Sequence, residues 1–153
     1  MRVIRAFEHK REPTAFTGEG ARLYGGRWNS VGVPVVYTAS SFALALLELM
    51  VNARSGHIPP GLVYATVDIP EEIVIAALDV ADLPENWFVA PAPPQCQAAG
   101  DSWIRRNDSV ALVVPSAVAR VESNVLLNPN HADFIRVTIG ATQDLAIDPR
   151  LRR

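Results

Sequence analysis

Ten consecutive residues, Phe42-Ala-Leu-Ala-Leu-Leu-Glu-Leu-Met-Val51, hold a single polar side chain, Glu48. Leu, Ala and Met favour the helix, and Ser40 or Ser41 just before the run is a suitable N-cap. The pattern predicts a helix over 42–54, closed by Gly56. Apolar side chains occupy most of its circumference, so it is expected deep in the fold. The run falls well short of the roughly 20 apolar residues that a membrane span requires.

Short β-rich runs surround this helix. Strands are predicted over 2–7, 34–39, 62–68 and 109–114, the last two ended by Pro70 and Pro115, with a weaker one over 73–77. A short strand over 125–127 runs into the turn Asn128-Pro129-Asn130-His131, and 134–139 and 145–147 read as the last strands. A second helix is expected over 95–106, carrying Trp103 and Ile104. Residues 13–34 read as a long irregular segment with five of the nine glycines, Gly18, Gly20, Gly25, Gly26 and Gly32. Loops of this length in compact domains are usually functional. Residues 79–94, with four of the twelve prolines, read as a second loop. Many short strands with two or three helices, not in strict alternation, predict an α+β fold. The length of 153 residues fits one domain, 1–153, with no internal repeat or linker.

The net charge of −2, from 14 basic and 16 acidic side chains, argues against a nucleic-acid binder, which would show a basic excess. A lone cysteine, Cys96, excludes an internal disulfide framework and a multi-cysteine zinc site. His9, His57 and His131 lack metal-ligand spacing, so no metal is expected. The N-terminus does not read as a signal peptide, and a cytoplasmic protein without membrane contact is expected.

Several residues could carry chemistry. A buried carboxylate is costly without a partner, and Glu48 has only Leu44, Ala45, Val51 and Asn52 at helical spacing. It is either paired with a distant arginine, or reaches solvent, or serves as a catalytic carboxylate in a cleft. In Tyr24-Gly25-Gly26-Arg27-Trp28-Asn29, the glycines allow close approach of backbone to a ligand. Arg27 offers bidentate contacts to phosphate or carboxylate. The same run also reads as a tight turn with Trp28 as a core anchor. It is neither a Walker loop nor a dinucleotide fingerprint. Tyr37 reads as core packing with a satisfied hydroxyl or as a site aromatic. Arg5, in the apolar first strand, reads as solvent-facing or as a ligand anchor. Ser116 reads as a turn hydroxyl or a site residue. A hydrolase built from Ser116, His131 and Asp133 lacks the GxSxG elbow.

Taken in order, Gly18-Glu19-Gly20-Ala21, Gly25-Gly26-Arg27-Trp28-Asn29, Val36-Tyr37-Thr38-Ala39, Ala45-Leu46-Leu47-Glu48 and Val114-Pro115-Ser116 resemble the RES domain family, named for its Arg, Glu and Ser. The late stretches Asn124 to Phe134 and Asp148-Pro149-Arg150-Leu151 also fit. One position departs from the pattern: Ala6 follows the first arginine, where some members carry an aromatic.

The resemblance implies an ADP-ribosyltransferase-like fold of two small packed β-sheets with flanking helices. It implies the toxin of a bacterial toxin–antitoxin system that degrades NAD at the nicotinamide–ribose bond, by hydrolysis or phosphorolysis. NAD is then the substrate, and no separate cofactor is expected. An alternative within the family is mono-ADP-ribosylation of a protein. An alternative of another class is a non-catalytic binding module with the same fold. The resemblance carries Glu48 over as the acid, Arg5 and Arg27 as anchors, Tyr37 as the aromatic packed against nicotinamide, and Ser116 as the family serine, ordering arginines or ligand. Tyr24 and Gly26 are expected beside the ligand. A helix-turn-helix antitoxin (Xre-like) and a second copy of the chain, as a homodimer, are the expected protein partners.

Overall fold

The computed structural model describes residues 1–53 and 58–151. Eight strands form one hydrogen-bonded sheet: β1 (Arg2–Glu8), β2 (Val36–Ala39), β3 (Leu62–Asp68), β4 (Ile75–Ala77), β5 (Ala111–Pro115), β6 (Ser123–Leu127), β7 (Thr138–Ile139) and β8 (Gln143–Asp144). The order is β4-β5-β6-β2-β1-β3-β7, with β8 also on β3; only β4 and β5 run parallel. The helices are α1 (Glu19–Tyr24), α2 (Phe42–Asn52) and α3 (Pro94–Arg106). The architecture is the α+β one expected. The two expected sheets are halves of one, because β1 and β2 register at the single pair Ile4↔Ala39. The halves share a core: Val3, Val67 and Ile69 pack with Val36, Val110, Val125 and Leu127.

Helix α2 starts where its N-cap predicts. The Ser41 side chain accepts from Leu44 N–H at 3.1 Å and donates to the Glu122 carboxylate at 2.6 Å. Its end at Asn52 precedes the expected one, and Arg54 and Gly56 lie outside the described residues. The expectation of burial all round fails. Leu44 and Ala45 are buried against Ala39, Ile4 and Ala6, whereas Phe42, Leu47 and Val51 are exposed. The helix lies as one layer over β1 and β2, and among the described residues its outer face stays largely exposed.

Helix α3 packs over a second core of Trp28, Trp103, Cys96, Leu112 and Leu126. Its face carrying Gln97, Gly100 and Asp101, spaced by three and four residues, grips the segment after α1. A Cβ on Gly100 would sit 1.8 Å from the Trp28 carbonyl oxygen, so only glycine allows this approach. Gln97 Nε2 donates to the Gly26 carbonyl at 3.0 Å, and Ser30 N–H donates to Asp101 at 2.9 Å.

Three further expectations are corrected. The segment 13–34 is not irregular throughout: a 3-10 helix covers His9–Thr14 and α1 follows, closed by Gly25 at φ 68°. The strand expected over 134–139 is mostly a 3-10 helix, Ala132–Arg136, capped by His131 Nδ1 accepting from Asp133 N–H. The last strand pairs at Gln143–Asp144, not over 145–147. Leu145 and Ile147 are instead irregular and buried against Leu62.

Candidate active site

Two contiguous cavities of about 570 and 840 Å³ meet along Arg5, Arg11, Tyr24, Tyr37, Glu48, Asn52 and Asn124. The smaller reaches past Phe7, Ala45 and Leu49, and the larger past Gly26, Arg27 and Gln97. Glu48 therefore stands at the waist of one cleft, on the α2 face that looks across the end of β6.

Its carboxylate is fixed through one oxygen. Ser116 Oγ donates to Glu48 Oε1 at 2.8 Å, and Asn124 Nδ2 donates to the same oxygen at 2.6 Å. Ser116 is fully buried just past β5, and its hydroxyl also accepts from Val118 and Ala119 N–H at 3.1 and 3.0 Å. No other hydrogen bond reaches the carboxylate among the described residues, which leaves Oε2 for a ligand. The arginine partner considered for Glu48 is not what holds it; two neutral donors do. A carboxylate held this way keeps its shape and stays available for a developing positive charge.

Arg5 projects from β1 beneath the cleft floor and donates to the Tyr37 carbonyl. Its Nε is buried without a partner, and no carboxylate pairs with it among the described residues. Burial and the nearby Arg11 push its pKa down to about 10, so it keeps its charge at neutral pH. A cation placed this way is costly to bury unpaired, and an anion in the cleft would offset that cost. Arg27 lies on the wall of the larger cavity. Its guanidinium donates to the Trp87 carbonyl and, at 2.9 Å, to the Val89 carbonyl. That ties Arg27 to residues 87 and 89 and leaves guanidinium N–H groups for other acceptors.

Tyr37 joins the loop to the cleft. Its hydroxyl donates to Asn29 Oδ1 at 2.8 Å and accepts from Trp28 N–H at 3.1 Å. Burial pushes this phenol well above its ordinary pKa, so it is a neutral strut and no base. Asn29, fully buried, completes the knot by donating from Nδ2 to the Ala21 and Val33 carbonyls. Gly26 is required here, because a Cβ would lie 2.6 Å from the Tyr37 oxygen. Trp28 is the core anchor that one reading of the loop predicted. Tyr24, 61% exposed, stands at the mouth and lines both cavities.

Arg5, Tyr24, Gly26, Arg27, Tyr37 and Glu48 thus converge on one cleft. Ser116 lies behind Glu48 and bonds neither arginine. The sequence reading gave no role to Asn124, Gln97 or Asp101. A polar residue opening the apolar run Asn124-Val-Leu-Leu was the available signal for the first, and the mid-helix Gly100 for the α3 face. Among the described residues no group of three or more His, Cys, Asp or Glu could hold a metal ion, and no helix is long and apolar enough to cross a membrane.

The RES domain family model matches residues 2–148. A protein of Photorhabdus laumondii called Toxin Res is 39% identical over 153 residues, covering 99% of this chain and 97% of the relative. A Sphingobium protein called Prs ADP-ribosylating toxin is 37% identical over 145 residues, covering 93% and 89%. A Yersinia enterocolitica Toxin Res is 36% identical, covering 99% and 100%. The fold superposes with a TM-score of 0.76 on a chain of the crystal structure of the M. tuberculosis MbcT–MbcA toxin–antitoxin complex. That match is at 20% identity and covers 95% of this chain and 84% of the other.

Proposed function

The chain belongs to the RES domain family, and on that premise we propose that it is the toxin of a bacterial toxin–antitoxin pair and consumes NAD by cleaving the nicotinamide–ribose bond. The observation that carries this reading is the Glu48 carboxylate, held by Ser116 and Asn124 at the waist of a cleft that also contains Arg5, whose Nε has no partner among the described residues.

Breaking the bond sends its electron pair to the nicotinamide ring nitrogen, so nicotinamide leaves neutral. Positive charge develops on the ribose, as in glycoside hydrolysis. Glu48, which pairs with no cation among the described residues, stabilises that charge. An oxygen of water or phosphate adds to the anomeric carbon, and water sheds its proton to solvent. Arg5 and the remaining N–H groups of Arg27 hold the pyrophosphate, which positions the ribose against Glu48. The apolar lobe by Phe7, Ala45 and Leu49 suits the departing aromatic ring. Tyr37 contributes its ring to the cleft wall while its hydroxyl is engaged in the loop.

A second reading is transfer of ADP-ribose to a protein, favoured by the name of the Sphingobium relative. The chemistry at Glu48 is the same, and only the acceptor differs. A partner that blocks the cleft is also part of the proposal, since a free NAD-consuming enzyme harms its own host. That partner is an Xre-like helix-turn-helix antitoxin. We also propose that the toxin works as a homodimer in the cytoplasm.

The test is incubation of the pure protein with NAD, with and without phosphate, and identification of products. Expected are nicotinamide with ADP-ribose, or with its 1″-phosphate when phosphate is present. Expression without a partner should arrest growth, with cellular NAD falling first. Intact NAD in arrested cells would favour protein modification, and unimpaired growth with abundant folded protein would overturn toxicity.

A further inference from the structure

We propose that Asn124 is a ligand-contacting residue as well as a holder of Glu48: its Oδ1 accepts one hydroxyl of a ribose cis-diol while Glu48 accepts the other. This rests on the reading of NAD as substrate.

The orientation of the carboxamide is fixed chemically. A carboxylate only accepts, so the atom 2.6 Å from Glu48 Oε1 is the amide nitrogen, and Oδ1 points elsewhere. Asn124 is 8% exposed, yet Oδ1 has no hydrogen-bond partner among the described residues. A buried acceptor left unmade is unfavourable and unusual. The strand pairing does not relieve it, because β6 at Asn124 is registered with Ala39 on one side and Val114 on the other through the backbone. Asn124 lines both cavities, so the unsatisfied oxygen, itself buried, is part of a side chain of the cleft wall.

A residue needed only to brace Glu48 would have to donate, as Ser116 already does. Asparagine adds an acceptor on the same side chain that holds Glu48 through Oε1. Two acceptors on side chains bonded to each other match two donors on adjacent carbons, which is a vicinal diol. A ligand cation would also suit two acceptors, but Arg5 and Arg11 share the cleft and oppose it. A ribose offers the diol without a charge. The pair Asn124 and Glu48 is then a selector for ribose over deoxyribose.

The test is kinetic coupling. The parent and the Asn124→Leu variant are compared on NAD and on the two analogues lacking the 2′- or the 3′-hydroxyl of the nicotinamide ribose. For one of the two analogues the parent should lose roughly tenfold in kcat/KM, the worth of one hydrogen bond. Asn124→Leu should lose at least as much on NAD itself, since its donor to Glu48 goes too, and less than about twofold further on that analogue, because the partner of the missing hydroxyl is already gone. Penalties that simply multiply for both analogues overturn the proposal.

Asn124→Asp is the second variant. It retains the acceptor but must donate to Glu48 through a proton shared between two carboxylates. Its activity should be present at acidic pH and fall as pH rises through the upper pKa of the pair. A pH profile unchanged from the parent overturns the proposal. A parent that neither binds nor cleaves NAD overturns the proposed function and this clamp with it, whereas cleavage of NAD with independent penalties overturns the clamp alone.

Discussion

The Ser116 hydroxyl donates to Glu48 at 2.8 Å while accepting from two backbone N–H groups, those of Val118 and Ala119. Those two donors fix the hydroxyl oxygen, so its one proton is directed at the carboxylate. Ser116 therefore acts through Glu48: it aims the carboxylate and touches no cavity itself.

Ser116→Ala should consequently injure turnover without abolishing it. A hydrogen bond to a charged group is worth about 1.5–3 kcal/mol, so kcat should fall about 10- to 100-fold, at ~1.4 kcal/mol per factor of ten. Asn124 still holds Glu48, so residual activity is expected. The two orphaned N–H groups should lower Tm as well. Steady-state kinetics beside a thermal melt checks this. A loss as deep as that of a Glu48 variant would mean that Ser116 does more than aim the carboxylate.

Glu48→Gln separates charge from shape. The amide oxygen of glutamine can accept from both Ser116 and Asn124, so the fold should persist with a Tm close to the parent's. The negative charge facing the ribose is gone. Losing several kcal/mol of stabilisation makes turnover fall a hundredfold or more. A variant that keeps full activity, or loses it only together with thermal stability, would make Glu48 a structural carboxylate.

The sequence announced the helix of Glu48 through its apolar run and its serine cap, and it announced β3 through alternation. Both signals are local. It also marked Glu48, Arg5, Tyr37 and the Gly-Gly-Arg-Trp-Asn loop as residues out of keeping with their surroundings. It did not show which partners they have, because those partners lie far away in the chain: Asn124 is 76 residues from Glu48, and Trp87 is 60 from Arg27. Nor did it show that α2 is bare on one side, since Phe42, Leu47 and Val51 are as apolar as its buried face. The strands expected near 134–139 and 145–147 failed for a related reason. Their apolar residues are real, but the His131 cap and the short register at Gln143–Asp144 decided the backbone.

Arg5 should trade stability for function. Its guanidinium pairs with no carboxylate among the described residues, and burial first and Arg11 second push its pKa down from the usual arginine range to about 10. Arg5→Met removes that uncompensated charge and retains apolar bulk. NAD affinity should fall at least tenfold, while Tm should hold or rise, with ~1 kcal/mol corresponding to about 2–4 °C at this size. The sign of the pH dependence follows. The folded protein binds the Arg5 proton less tightly than the unfolded chain, so the burden is full below about pH 10 and is relieved as pH rises above that toward the usual arginine range. Any advantage of the Met variant should shrink over that range. Melting curves and NAD titrations of both proteins test it, and a variant that melts lower yet binds NAD unchanged would make Arg5 a structural residue.

Tyr37→Phe should loosen the loop that carries Arg27. The hydroxyl serves Trp28 N–H and Asn29 Oδ1 at once, and removing it leaves both buried groups unmade at a cost of about 1–3 kcal/mol. The ring stays, so the apolar wall of the cleft is kept, and the kinetic injury should appear mainly as a raised KM. Gly26 provides the sharper check. A methyl there would meet the Tyr37 oxygen at 2.6 Å and Asn29 Oδ1 at 2.9 Å, so Gly26→Ala should destabilise the parent severely. In the Tyr37→Phe background the first of those clashes is absent, and the penalty of Gly26→Ala should be smaller. A double-mutant cycle read by denaturant unfolding measures the coupling. Additive penalties would mean that the loop relaxes independently of Tyr37, and that the hydroxyl is no strut for it.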